Sequence, residues 1–181
     1  MNPGTKDPLL LAGTAIAIFM QGVMAVAAAA LAIAIPALLI FQDRVNAEFA
    51  EEVGKAGASL PIGALIGLML VGLVLVGLLF LFFGRLRAII ATVGKGDPFQ
   101  PENADRLAQM GWIMVAVQLL TIPAAAAGVY LVSYFDDFES MTFSSDAGLD
   151  VGGITLTIIL FILARVFRHG AAMREDLEGT V

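Results

Sequence analysis

The chain has 181 residues, 59% hydrophobic and only 14% charged, with a mean hydropathy of +0.91. Soluble domains carry about 25% charged residues, so the composition excludes an ordinary soluble domain and points to an integral membrane protein. With no cysteine there is no disulfide frame or thiolate metal site, one histidine makes no histidine cluster, and a net charge of −6 speaks against direct binding of nucleic acid.

Four apolar stretches are predicted to cross the bilayer as helices: residues 9–41, 60–83, 110–132 and 149–168. They make one all-α domain over residues 1–181, a polytopic four-helix transmembrane bundle with helical cytosolic extensions. A turn at 84–109 and a tail at 169–181 lie on one side of the membrane. A crossing needs about 20 apolar residues. The second and third stretches fit. Leu9 to Phe41 would be about 50 Å long as a helix, so one end must project or tilt, with Pro36 as a kink near the outer end. Its length and its flank, where Lys6 sits beside Asp7, argue against a cleaved signal peptide. The fourth stretch is short from Val151 to Phe167. It gains length by starting near Gly148 and by letting Arg165 snorkel to the interface.

The third stretch carries Trp112 at one end and Tyr130 and Tyr134 at the other. Trp112 to Tyr134 is about 33 Å along a helix, close to one hydrocarbon thickness, which suits aromatic residues at both interfaces.

Cations set the orientation. Lys6, Arg85, Arg87, Lys95, Arg106, Arg165, Arg168 and Arg174 fall on one side, eight of the ten basic residues, against Arg44 and Lys55 on the other. The connection after the third stretch has no cation and holds Asp136, Asp137, Glu139, Asp146 and Asp150. Both termini and the central turn are therefore expected in the cytoplasm.

The turn reads "GKGDPFQPENADRLAQMGW" from Gly94 to Trp112. Gly94 and Gly96 can end the second helix through a left-handed cap. Asp97 with Pro98 and Gln100 can start the next one as a capping box, or Pro101 can open it with Glu102 in the first turn. In the tail, Val166, Phe167, Ala171 and Met173 supply an apolar set, with Glu175, Asp176 and Glu178 clustered at the end. Acids at a helix C-terminus oppose the macrodipole, so either these acids meet Arg85, Arg87 or Arg106, or both segments are simply solvated.

The pattern "GDPFxPENxxRLxxxGW", together with "ARVFRHGAxMREDLEGTV" at the end of the chain, resembles a bacterial four-span membrane family catalogued as domain of unknown function 2975. The resemblance covers essentially the whole chain, and rests on Pro98, Phe99, Asn103, Arg106, Leu107, Phe167, Arg168 and Gly170. Members are often encoded beside a small helix-turn-helix transcription regulator, so the resemblance implies a membrane partner or antagonist of such a regulator. It supplies no catalytic residue.

No ionisable side chain falls in the interior of a predicted span. A pump or membrane enzyme normally keeps such groups there. Gln21 and Gln118 read as packing glue that could bond across helices, and Gly63 and Gly67 form a GxxxG frame suited to close packing in the bundle or in a homodimer. The acidic outer connection fits no EF-hand frame. It could be a plain cap or a sensing face built on Phe135, Phe138 and Phe143. The expectation is a non-enzymatic protein of the inner membrane, without cofactor or metal, docking a cytosolic regulator through Phe99, Asn103, Arg106, Phe167 and Arg168. In that surface Phe99 wedges against Phe167, the two arginines take carboxylates and Asn103 fixes backbone groups; the other reading of the same residues is that they only stabilise the bundle's own cytosolic end. A small transporter or channel subunit is the alternative.

Overall fold

The computed structural model describes residues 7–52, 59–132 and 150–178, with only the backbone described at 52, 177 and 178. They form four helices: α1 (Pro8–Glu52), α2 (Ile62–Val93), α3 (Pro101–Val132) and α4 (Val151–Glu178). Each is long and apolar enough to cross a membrane. The chain is thus all-α and multi-pass. At 1.5 Å per residue the helices run about 40 to 70 Å, against about 30 Å of hydrocarbon, so every one projects beyond it.

Two boundaries differ from expectation for local reasons. The first helix does not stop near Phe41 but continues through Gln42 and Asp43 to Glu52. Pro36 lies inside it. Proline there removes one hydrogen bond, and the rest of a 45-residue ladder carries the helix past it. The fourth helix begins at Val151, because the Asp150 carboxylate accepts the Gly152 backbone N–H at 3.0 Å as an N-cap. Gly148, and the aromatic and acidic residues from 133 to 149, lie outside the described residues, as do Lys6 and Lys55.

The helices alternate in direction and pack in series, α1 on α2, α2 on α3, α3 on α4. Among the described residues no Cα of α1 comes within 8 Å of α3 or α4, nor any of α4 within 8 Å of α2, beyond chain neighbours. The bundle is an open layer. The α1–α2 register is antiparallel throughout. A Cβ on Gly13 would meet Ile90, one on Gly72 would meet Leu31, and Asn46 Oδ1 accepts the Leu60 N–H at 2.9 Å. The start of α1, the end of α2, the start of α3 and the end of α4 therefore share one end of the layer, here the turn end.

Burial is concentrated there. Ile89, Leu107, Met110, Leu160 and Ala164 form the core, with Phe82, Leu86 and Phe167 packed on it. Elsewhere large apolar side chains point outward: Phe19 is 68% exposed, Ile40 74% and Val151 75%. In water such surface would collapse. Against lipid tails it costs nothing, and helices associate instead through close packing. Gln21 and Gln118 do not meet. Each donates to a neighbouring backbone carbonyl, Gln21 to Phe80 at 3.5 Å and Gln118 to Asp150 at 3.2 Å, because the series arrangement keeps α1 away from α3. The GxxxG frame is not used within the chain either, since a Cβ on Gly63 or Gly67 would find nothing within 4 Å.

Candidate functional site

The turn end is assembled from three elements. Helix α2 closes with two hydrogen bonds, Gly96 N–H to the Val93 carbonyl at 3.0 Å and Asp97 N–H to the Thr92 carbonyl at 3.3 Å. This nested pair is a left-handed C-terminal cap, and it requires a positive φ at its fifth residue. Gly96 supplies it with φ +83. Gly94 stays right-handed at φ −65 and belongs to the last helical turn. Of the two expected starts for α3, the structure takes Pro101, whose missing N–H is no loss at a first helical position. Asp97 closes the turn differently, its carboxylate accepting from Gln100 Nε2 at 3.0 Å.

Asn103 is the centre of the cap and is fully buried. Its Nδ2 donates to Thr92 Oγ1 at 2.7 Å and to the Pro98 carbonyl at 2.9 Å. Its Oδ1 accepts from Arg106 Nη1 at 2.7 Å. The Thr92 hydroxyl has one proton. The Ile89 carbonyl at 2.7 Å is nearer than Asn103 Oδ1 at 3.1 Å, so Thr92 donates to Ile89 and accepts from Asn103. The amide thus ties the end of α2, the turn and the first turn of α3 together. A buried amide with all its hydrogen-bonding groups satisfied fixes one arrangement.

Helix α4 closes the other side. The Phe99 and Phe167 rings lie 5.4 Å apart, tilted by 42°. The Phe99 ring rests on Gly170, where a Cβ would come within 2.7 Å of ring carbon Cδ1. This is why that position has no side chain. Arg168 Nη2 meets Asp105 Oδ1 at 3.3 Å, and Arg174 Nη1 pairs with Asp97 Oδ1. One helical layer deeper, Gly111 accommodates the Phe161 ring, which also meets Trp112 edge-on at 5.5 Å.

The five residues singled out in the sequence therefore converge within one cap, in different roles. Phe99 does wedge against Phe167, and Asn103 does hold a backbone carbonyl. Arg168 takes a carboxylate, while Arg106 takes the Asn103 amide oxygen instead, three residues away on the same helix. Two ion pairs join tail arginines to turn carboxylates, a polarity the expected pairing of tail acids with turn arginines did not include. The antiparallel α3–α4 register puts the tail's cations, not its acids, beside Asp97 and Asp105. Three contributors escaped the sequence reading: Thr92, Asp97 as an ion-pair partner, and Asp105. Nothing local marks Thr92, which meets Asn103 only because the turn folds back. No group of three or more histidine or acidic side chains able to hold a metal occurs among the described residues.

What remains outward on the cap is an amphiphilic surface. Phe99 is 42% exposed and Met173 52%. The side chains of Arg168 and Asp105 are about two-thirds exposed despite their contact. No curated protein and no solved structure matches the chain. The combination of four apolar helices with the PF–N–RL turn and the VFR–G tail agrees with a family model that matches residues 33–181, and the chain belongs to that family, described as protein of unknown function (DUF2975).

Proposed function

We propose that the protein is a non-enzymatic component of the bacterial cytoplasmic membrane whose turn end faces the cytosol and docks a soluble partner, a helix-turn-helix transcription regulator. The observation that carries this reading is the ordered cap itself. Buried Asn103, the Phe99–Phe167 pair and the paired tail arginines hold a defined surface at the end where most cations gather. A linker would need none of this. Exposed Phe99 and Met173 beside Arg168 match the composition of protein interfaces, which favour aromatic residues, Met and Arg. Asn103 and Phe167 serve by shaping the cap, and Phe99 and Arg168 by touching the partner. A transporter has less support, because a single layer of helices does not surround a path.

The test is a photo-crosslinking amino acid placed at Arg168 or Lys95 in living cells. Capture of a helix-turn-helix regulator supports the reading. Crosslinks only between copies of the chain overturn it.

A further inference from the structure

A groove of about 830 Å³ runs along α4 beside the turn, with an almost wholly apolar lining made by Phe99, Val166, Gly170 and Met173 and by the Arg165, Arg168 and His169 side chains, largely through their apolar atoms. Its apolar wall does not begin at the cap. On the same flank of α4, Ile159, Ile162, Leu163, Val166 and Met173 follow one another at helical spacing and are between 38% and 57% exposed. This stripe starts well inside the apolar span of α4 and passes without a break into the groove. Arg165 and His169, one turn apart, border it, and among the described residues neither has a hydrogen bond or ion pair. An unpaired arginine at the end of a span, next to an apolar track that continues into the bilayer, fits a molecule with an anionic head and hydrocarbon tails.

We infer that this groove binds an anionic phospholipid of the adjoining leaflet. The phosphate meets Arg165 and the free edge of Arg168, with His169 beside it. One acyl chain follows the stripe from Val166 toward Ile159, and Phe99 covers the glycerol region. Two features favour a lipid over a peptide helix. The apolar wall is continuous with the lipid-facing surface, and basic pockets at the cytoplasmic edge of membrane helices attract anionic headgroups. The inference does not depend on a regulator docking at the cap.

The protein carries its own probe. Trp112 is the sole tryptophan and meets edge-on Phe161, which lies one helical turn from Arg165. The full chain is reconstituted in nanodiscs containing phosphatidylglycerol or phosphatidylcholine with brominated acyl chains, which quench indole on contact. The expected result is stronger quenching by the anionic lipid. Arg165→Gln is expected to lower that preference about fivefold, since a basic residue near a charged surface is worth about 1 kcal/mol. Arg87→Gln, an exposed cation on α2, leaves it unchanged. Equal quenching by both lipids overturns the assignment. So does an equal loss in both variants, which would mark a general surface attraction. Displacement of the lipid by inorganic phosphate at millimolar concentration would also overturn it, because the site would then hold a free anion. Any of these results leaves the crosslinking test for a regulator unaffected.

Discussion

Replacing Asn103 by leucine tests the cap most sharply. The side chain has no exposure, so the new methyl groups meet no water and their partners lose theirs. Three contacts vanish: the donations to Thr92 Oγ1 and the Pro98 carbonyl, and the acceptance from Arg106. A buried polar group left unpaired costs about 1–3 kcal/mol. Thr92, Pro98 and Arg106 are each half-buried, so water recovers part of that loss. The net cost is about 2–4 kcal/mol for opening the turn. A factor of ten corresponds to about 1.4 kcal/mol, so amide hydrogen exchange across 94–107 should accelerate roughly 30- to 1,000-fold in the detergent-solubilised protein. Exchange in the middle of α1, which has no contact with α3, should not change. Asn103→Asp keeps the acceptor for Arg106 but sets an oxygen against the Pro98 carbonyl, and should fall between the two. Exchange in Asn103→Leu within twofold of the parent would refute the role given to this amide.

Three further predictions concern the packing. Gly170→Ala forces a Cβ to within 2.7 Å of the Phe99 ring, an overpacking cost of about 1–3 kcal/mol against a helix-propensity gain of about 1 kcal/mol. In a Phe99→Ala background the clash is gone and Gly170→Ala should become stabilising, a change of sign that thermal unfolding followed by Trp112 fluorescence can read. Gly63→Ala and Gly67→Ala meet nothing within 4 Å and should stabilise the monomer by up to about 1 kcal/mol through helix propensity alone, whereas Gly111→Ala presses on Phe161 at 3.0 Å and should move the Trp112 emission maximum. Asp97→Asn removes one carboxylate partner of Arg174, in a partly exposed pair, and should cost about 0–1 kcal/mol, less in high salt.

The spans and the shared end of their termini were legible in the sequence, because long apolar runs and the distribution of cations need no knowledge of contacts. So was the cap residue set, through the motif residues Phe99, Asn103, Phe167 and Gly170. What the sequence left open was decided by register. Whether Asp97 or Pro101 opened α3 depended on the nested cap at Gly96, which uses the Asp97 N–H and leaves its carboxylate to Gln100 and Arg174. The polarity of the tail's ion pairs depended on which turn of α4 faces Asp105. The over-long α1 was visible as a length problem, yet nothing in its composition marked Glu52 as the end. Gly63 and Gly67 look like packing residues from spacing alone, but face outward because α2 uses its other sides for α1 and α3.

The central claim is that the turn and the tail form one surface on the cytosolic side. The chain has no cysteine, so single substitutions Glu48→Cys, Lys95→Cys and Met173→Cys give clean reporters at exposed positions. With a membrane-impermeant thiol reagent on intact spheroplasts, the expected result is labelling at position 48 alone, and at 95 and 173 only after the membrane is opened. Labelling of 95 and 173 from opposite sides would contradict the shared cap, and labelling of both from outside would contradict a cytosolic partner.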